Sequence, residues 1–212
     1  MPPPEDARTP RPAPGEELNP GAETPARASA SVIVLRDTPE GPEVLLVRRN
    51  PDARFMGGAW VFPGGAESPE DGDLARTGVR ELAEEAAVQL GDAEELVPFS
   101  RWITPAEVTV RFDTRFFLAR APVGAEPVPD GSECVAARWW RPVDALDAHA
   151  RGELELVFPT IKHLEELAGF PSVAHGLDAA RARDVTPVQP RVVAGDDGDA
   201  RVLLPGEPGY AS

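Results

Sequence analysis

The sequence predicts an α/β fold, and three stretches carry that prediction. Ser29 to Arg36 (SASVIVLR) and Glu43 to Arg49 (EVLLVRR) are near-continuous in Val, Ile and Leu, as in central strands covered on both faces. Between Gly57 and Leu90 an apolar run and a Pro-Gly-Gly break lead, through an acidic loop, into a helix with one apolar stripe. From Val108 to Ala119 (VTVRFDTRFFLA) apolar and polar residues alternate with a period of two, the mark of a strand with one buried face.

Taken in order, Met1 to Ala28 is rich in Pro, Glu, Ala and Arg. It has too little apolar surface to offset its ordering entropy and reads as a flexible arm. A turn at Asp37 to Pro42 joins the first two strands. Ala59 to Phe62 is a short strand that Pro63-Gly64-Gly65 ends, and Asp71 or Asp73 caps the following helix. Gly78 inside that helix costs roughly 1 kcal/mol against alanine, which suggests close packing. Val97 to Trp102, Val108 to Ala119 and Glu133 to Arg141 are further strands, the last approached by a Pro/Gly/Asp loop from Pro122 to Ser132. In the alternating strand, Val108, Val110, Phe112 and Thr114 take the buried face, leaving Arg111, Asp113 and Arg115 outward. Phe158 to Leu167 and Ser172 to Arg183 read as helices, and Arg191 to Ala194 with Arg201 to Leu204 flank a hairpin turn at Gly195-Asp196-Asp197-Gly198. The chain thus divides into an arm (1–28), a main domain (29–170) and a C-terminal extension (171–212).

The chemistry concentrates on the helix after Gly65. A helix advances about 100° per residue, so Glu84 and Glu85 fall near −60° and +40° of Glu81, all on one face. A solvated charged face is the plain alternative. Yet clustered carboxylates repel unless a cation neutralises them, and hard oxygen ligands at this density suit Mg2+ or Mn2+. Arg80, one turn before Glu84, is placed to orient it.

A formal net charge of −15 argues against a general nucleic-acid binder, because phosphate backbones reward clustered Lys and Arg. The single cysteine, Cys134, cannot form an internal disulfide, which fits a reducing cytoplasm. No window approaches the length of an apolar membrane span, so no membrane association is expected. His149, His163 and His175 have no ligand spacing among themselves.

The run Arg80-Glu81-Leu82-Ala83-Glu84-Glu85-Ala86-Ala87-Val88, with Phe62-Pro63-Gly64-Gly65 ahead of it, resembles the Nudix box, G-x5-E-x7-R-E-U-x-E-E-x-G-U with U aliphatic. Two positions depart from it. Ala87 stands where glycine is usual, and Gly65 to Arg80 is one residue too long, so Glu70, Asp71 or Asp73 fills the first acidic position. The resemblance implies an α/β/α sandwich around a mixed β-sheet. It also implies a metal shell from Glu81, Glu84, Glu85 and a carbonyl around Gly64 or Gly65, and hydrolysis of a diphosphate linkage in a small nucleotide substrate. Glu84 or Glu133 would be the base. Many relatives are dimers, so a homodimer is expected.

The approach Gly58 to Gly65, the lengthened box, and the downstream RWITP, RFDTRFF, ARWW-x-P and PT-x-x-x-L elements look like the coenzyme A and acyl-coenzyme A diphosphatase branch. Coenzyme A carries an extra 3′-phosphate, for which Arg48, Arg49, Arg54, Arg111 and Arg115 are the candidate cations. ADP-ribose, NADH or an oxidised nucleotide as substrate, and a ligand-sensing domain without catalysis, are the alternatives.

Overall fold

The computed structural model describes residues 23–91, 96–194 and 200–210. Most of the N-terminal arm, and the hairpin turn from Gly195 to Gly198, lie outside these residues. Among the described residues, ten strands and four helices follow in the order β1 (Arg27–Thr38), β2 (Gly41–Arg49), β3 (Trp60–Val61), β4 (Gly64–Ala66), α1 (Leu74–Ala86), β5 (Val97–Ile103), β6 (Phe112–Arg120), β7 (Cys134–Trp140), α2 (Pro142–Ala150), α3 (Phe158–Leu167), α4 (Val173–Arg181), β8 (Pro187–Val188), β9 (Arg191–Ala194) and β10 (Ala200–Leu203).

β1 is the hub. It pairs antiparallel with β2 along its C-terminal part, antiparallel with β4 at Ser29–Ser31, and parallel with β6 along its other edge. The sheet runs β3-β2-β1-β6-β5-β8, with β7 beside β2. Successive side chains of β1 point to opposite faces. Ala30, Val32 and Val34 pack with Leu82 and Ala86 of α1, and Ile33 and Leu35 pack with Leu164 of α3 and Leu177 of α4. The sheet therefore lies between α1 on one face and α2, α3 and α4 on the other, the α/β/α sandwich expected from the sequence.

Gly78 has a packing reason: a Cβ there would stand 2.8 Å from Val32 Cγ2, so α1 lies on β1 at a distance only glycine allows. On the far face His163 of α3 is buried, and its Nε2 lies 2.6 Å from Ser100 Oγ of β5. Burial pushes its pKa down to about 3.

Three expectations change. The predicted strand from Val108 starts only at Phe112, because Val108 N–H closes a turn onto the Pro105 carbonyl. Val110 is consequently exposed and Arg111 buried, the reverse of the expected alternation. The arm ends earlier than Ala28, since Arg27 and Ala28 already pair with Phe112 and Asp113. Among the described residues no helix is long and apolar enough to cross a membrane.

Candidate functional site

α1 is delimited by its ends. Asp73 caps it by accepting the Arg76 N–H at 2.8 Å, and Ala87 closes it in the left-handed region (φ 54°), donating to the Ala83 carbonyl. On the turns between, Arg80 is held by Asp71: Nε and Nη2 donate to the two Asp71 oxygens at 2.8 and 2.9 Å. Asp71 also accepts from the Ser68 N–H and the Thr77 hydroxyl. The Arg80 guanidinium, with these donors, keeps the Asp71 carboxyl well below the usual carboxylate range. Glu70 turns instead to Ser68. Of the three acids weighed for the first acidic position, Asp71 is the one that grips Arg80.

Arg80 Nη1 lies 2.9 Å from both Glu81 Oε1 and Glu84 Oε2. The three acids share a helix face but not an environment: the side chain of Glu84 is 60% exposed and that of Glu81 only 13%, while Glu85 is buried. No group of three His, Cys, Asp or Glu among the described residues is already gathered as a metal cage. Glu81 and Glu85 are the inward pair.

The Pro-Gly-Gly break explains how they fit. A Cβ on Gly64 would collide with the Ala30 carbonyl, and one on Gly65 with the Glu81 carboxylate. With no side chain there, β4 lies flat against β1 and α1. The Gly64 N–H then donates to Glu85 Oε2 at 2.9 Å. Burial nevertheless dominates and pushes the Glu85 carboxyl up to about 7, with the Gly64 bond and Arg49 opposing and the Glu81 charge adding to the rise. Burial likewise raises Glu81, against the pull of Arg80. Two desolvated carboxylates that repel one another form an oxygen-only donor set that suits a hard divalent cation.

The arginines separate. Arg48 and Arg49 are neighbours on a strand, so they take opposite faces. Arg49, set by a bulge opposite β7, faces Glu85 and Cys134. Arg48 donates to the Gly58 carbonyl on the other face. Arg49 Nε reaches the Phe55 carbonyl, which ties the loop carrying the exposed Arg54 to the site. The Arg111 side chain is buried and bonded to Glu23 and to the carbonyls of Thr24 and Thr104, away from the α1 carboxylates. Arg115 sits on β6 and supports the Asp113 carboxylate, which Arg101 grips at 2.6 and 2.8 Å. An open depression of about 370 Å³ lined by Arg111, Asp113, Thr24 and Gln189 contains none of the α1 carboxylates.

Glu133 is exposed, and its charge is felt at Glu81. Cys134 beside it is buried with its thiol hydrogen-bonded to Glu85. Asp130 accepts the N–H groups of Ser132, Glu133 and Cys134 at 3.0, 2.9 and 2.7 Å, and the Ser132 hydroxyl as well. Asn50 donates from its backbone to the Glu133 carbonyl and from its amide to the Ser132 carbonyl, each at 2.8 Å. Sequence reading missed Asn50, Asp130 and Cys134. Only the Asp130-Gly131-Ser132 turn signature pointed this way.

A NUDIX domain family model matches residues 25–159. A Caenorhabditis elegans protein named putative nudix hydrolase 7 is 30% identical over 182 residues, covering 67% of this chain, and the chain spans 60% of that protein's length. The crystal structure of a NUDIX hydrolase from Alicyclobacillus acidocaldarius superposes with a TM-score of 0.68 at 31% identity, over 77% of this chain and 99% of that one. The NUDIX domain of Shewanella oneidensis NrtR, solved with ADP ribose, has a TM-score of 0.55 at 20% identity, over 70% of this chain and 90% of that one, a likeness of fold.

Proposed function

Because the chain belongs to the NUDIX domain family, we propose that it hydrolyses a diphosphate linkage in a small nucleotide-derived substrate with the help of a divalent cation, Mg2+ or Mn2+. The observation that carries this reading is the inward pair Glu81 and Glu85 beside Gly64 and Gly65, whose carboxyls desolvation pushes up despite Arg80 at Glu81 and the Gly64 N–H at Glu85. Glu81 and Glu85 would hold the cation, with Glu84 and a carbonyl at Gly65 completing its shell. When bound, the cation neutralises phosphoryl oxygens and lowers the pKa of a water.

The chain's own residues do the rest. Asp71 fixes Arg80, and Arg80 fixes Glu81 and Glu84 along one side of α1. Glu84 lies against that guanidinium, whereas Glu133 stands exposed with its charge reaching Glu81, which favours Glu133 over Glu84 as the acceptor of the water proton. Arg49 and Arg54 are the cations on hand for the substrate's phosphates.

The sequence resemblance favours coenzyme A or an acyl derivative. The departure of Arg48 and Arg111 from the carboxylate side favours a second substrate class, one with a diphosphate and no further phosphate, such as ADP-ribose. Incubation of coenzyme A, acetyl-coenzyme A, ADP-ribose and NADH with the protein and Mn2+ or Mg2+, followed by mass spectrometry, separates them. Coenzyme A cleaved to 4′-phosphopantetheine and 3′,5′-ADP supports the first class, and ADP-ribose cleaved alone supports the second. Tight binding of one of them without cleavage favours the ligand-sensing alternative.

A further inference from the structure

Glu133 projects from a loop, and a glutamate free to sample its rotamers is a poor base, because proton transfer needs an acceptor within hydrogen-bond reach of the water. The peptide units around Glu133 are nevertheless held on both sides. Asp130 takes up the N–H groups of Ser132, Glu133 and Cys134, and Asn50 takes up the carbonyls of Ser132 and Glu133. The Gly131 N–H closes the turn onto the Cys134 carbonyl at 2.9 Å. Asn50 directly follows Arg49, and its side-chain oxygen accepts the Asp52 N–H at 3.0 Å. One residue thus registers the Glu133 loop against both β2 and the loop of Arg54.

We propose that Asp130, with Asn50 as its counterpart, is a positioning residue for the hydrolysis, fixing the backbone from which Glu133 reaches the attacking water. The proposal rests on the reading of Glu133 as proton acceptor. Asp130 itself touches neither substrate nor cation in this role. All the groups it binds are donors, so a carboxylate is required. In Asp130→Asn the shape is kept, but an NH2 group is turned onto N–H groups that need an acceptor.

The test is a double-mutant cycle on whichever of coenzyme A and ADP-ribose the wild-type protein cleaves with Mg2+. Glu133→Gln lowers kcat by about 100-fold or more, the scale of general-base catalysis. Asp130→Asn lowers kcat by about 10-fold, the scale of a misplaced catalytic group, with KM within about twofold. The double variant is no slower than Glu133→Gln alone, because a residue that acts through Glu133 has nothing left to position. Mn2+ affinity, read by titration, stays unchanged in Asp130→Asn. If Asp130→Asn does not fold, Asn50→Ala must show the same kcat signature and the same lack of effect on Glu133→Gln. Wild-type kcat in the positioning variant, a further 10-fold loss in the double variant, or weakened Mn2+ binding overturns the positioning role while leaving Glu133 as base. Wild-type kcat in Glu133→Gln overturns the base reading and the positioning role with it.

Discussion

Ala87→Gly should make the protein more stable. Ala87 ends α1 with φ 54° and ψ 22°, a left-handed conformation, and its N–H closes the helix onto the Ala83 carbonyl at 3.1 Å. The left-handed region costs a residue with a Cβ about 1–2 kcal/mol, and it costs glycine almost nothing. The exposed methyl group at this position contributes no core packing, so its removal leaves no cavity. Glycine gives back about 0.4–1 kcal/mol through the larger entropy of its unfolded chain. The balance is a gain of about 0.5–1 kcal/mol, which for a chain of this size is about 1–4 °C in Tm. Urea unfolding should show a higher midpoint at an unchanged slope. A midpoint equal to or below wild type would refute the reasoning, and would mean that the helix end relaxes around alanine at no cost.

Glu85→Gln should abolish cation-dependent turnover without lowering Tm, because the amide still accepts the Gly64 N–H and no longer buries a charge; wild-type turnover by this variant sinks the cation site. Arg49→Ala should raise KM by about 10-fold, the scale of one charge-assisted contact, and Arg48→Ala should leave it nearly unchanged, since only Arg49 faces Glu85; equal effects would contradict the facing assigned by the strand. Acid should destabilise the protein through His163, whose folded pKa of about 3 lies below its ordinary 6.5. Between those values the unfolded chain takes up a proton that the folded chain refuses, a contribution that falls by about 1.4 kcal/mol per pH unit as pH drops from 6.5 toward 3, while the raised Glu85 carboxyl contributes with the opposite sign between about 7 and 4.5. In urea titrations at pH 7, 6 and 5, His163→Gln should therefore gain stability relative to wild type as pH falls, and a difference between the two proteins that does not change with pH would refute the role of His163.

What the sequence alone determined is what local pattern can encode. The aliphatic runs of β1 and β2, the break at Pro63-Gly64-Gly65 and the apolar stripe of α1 each follow from spacing within a few residues, and together they made the sandwich legible. Ala87 could be read only as a departure from the glycine of the resembled motif, and its left-handed conformation emerged in the structure. Tertiary structure decided the partners. Arg111 looks outward on a strand pattern, and only the turn at Pro105–Val108 shows it buried against Glu23 and Thr24. Asp71, Glu70 and Asp73 were equivalent in sequence until the path of the loop gave Arg80 to one, Ser68 to another and the helix cap to the third. Asn50 lies 83 positions before Glu133, so no window along the chain joins it to that loop, whereas Asp130 lies three residues away within the same turn. Helical spacing puts Glu81, Glu84 and Glu85 on one face, but their differing burial comes from β4 and β7 closing over two of them and leaving Glu84 to solvent and Arg80. Charge pattern is local, whereas desolvation depends on what packs above it.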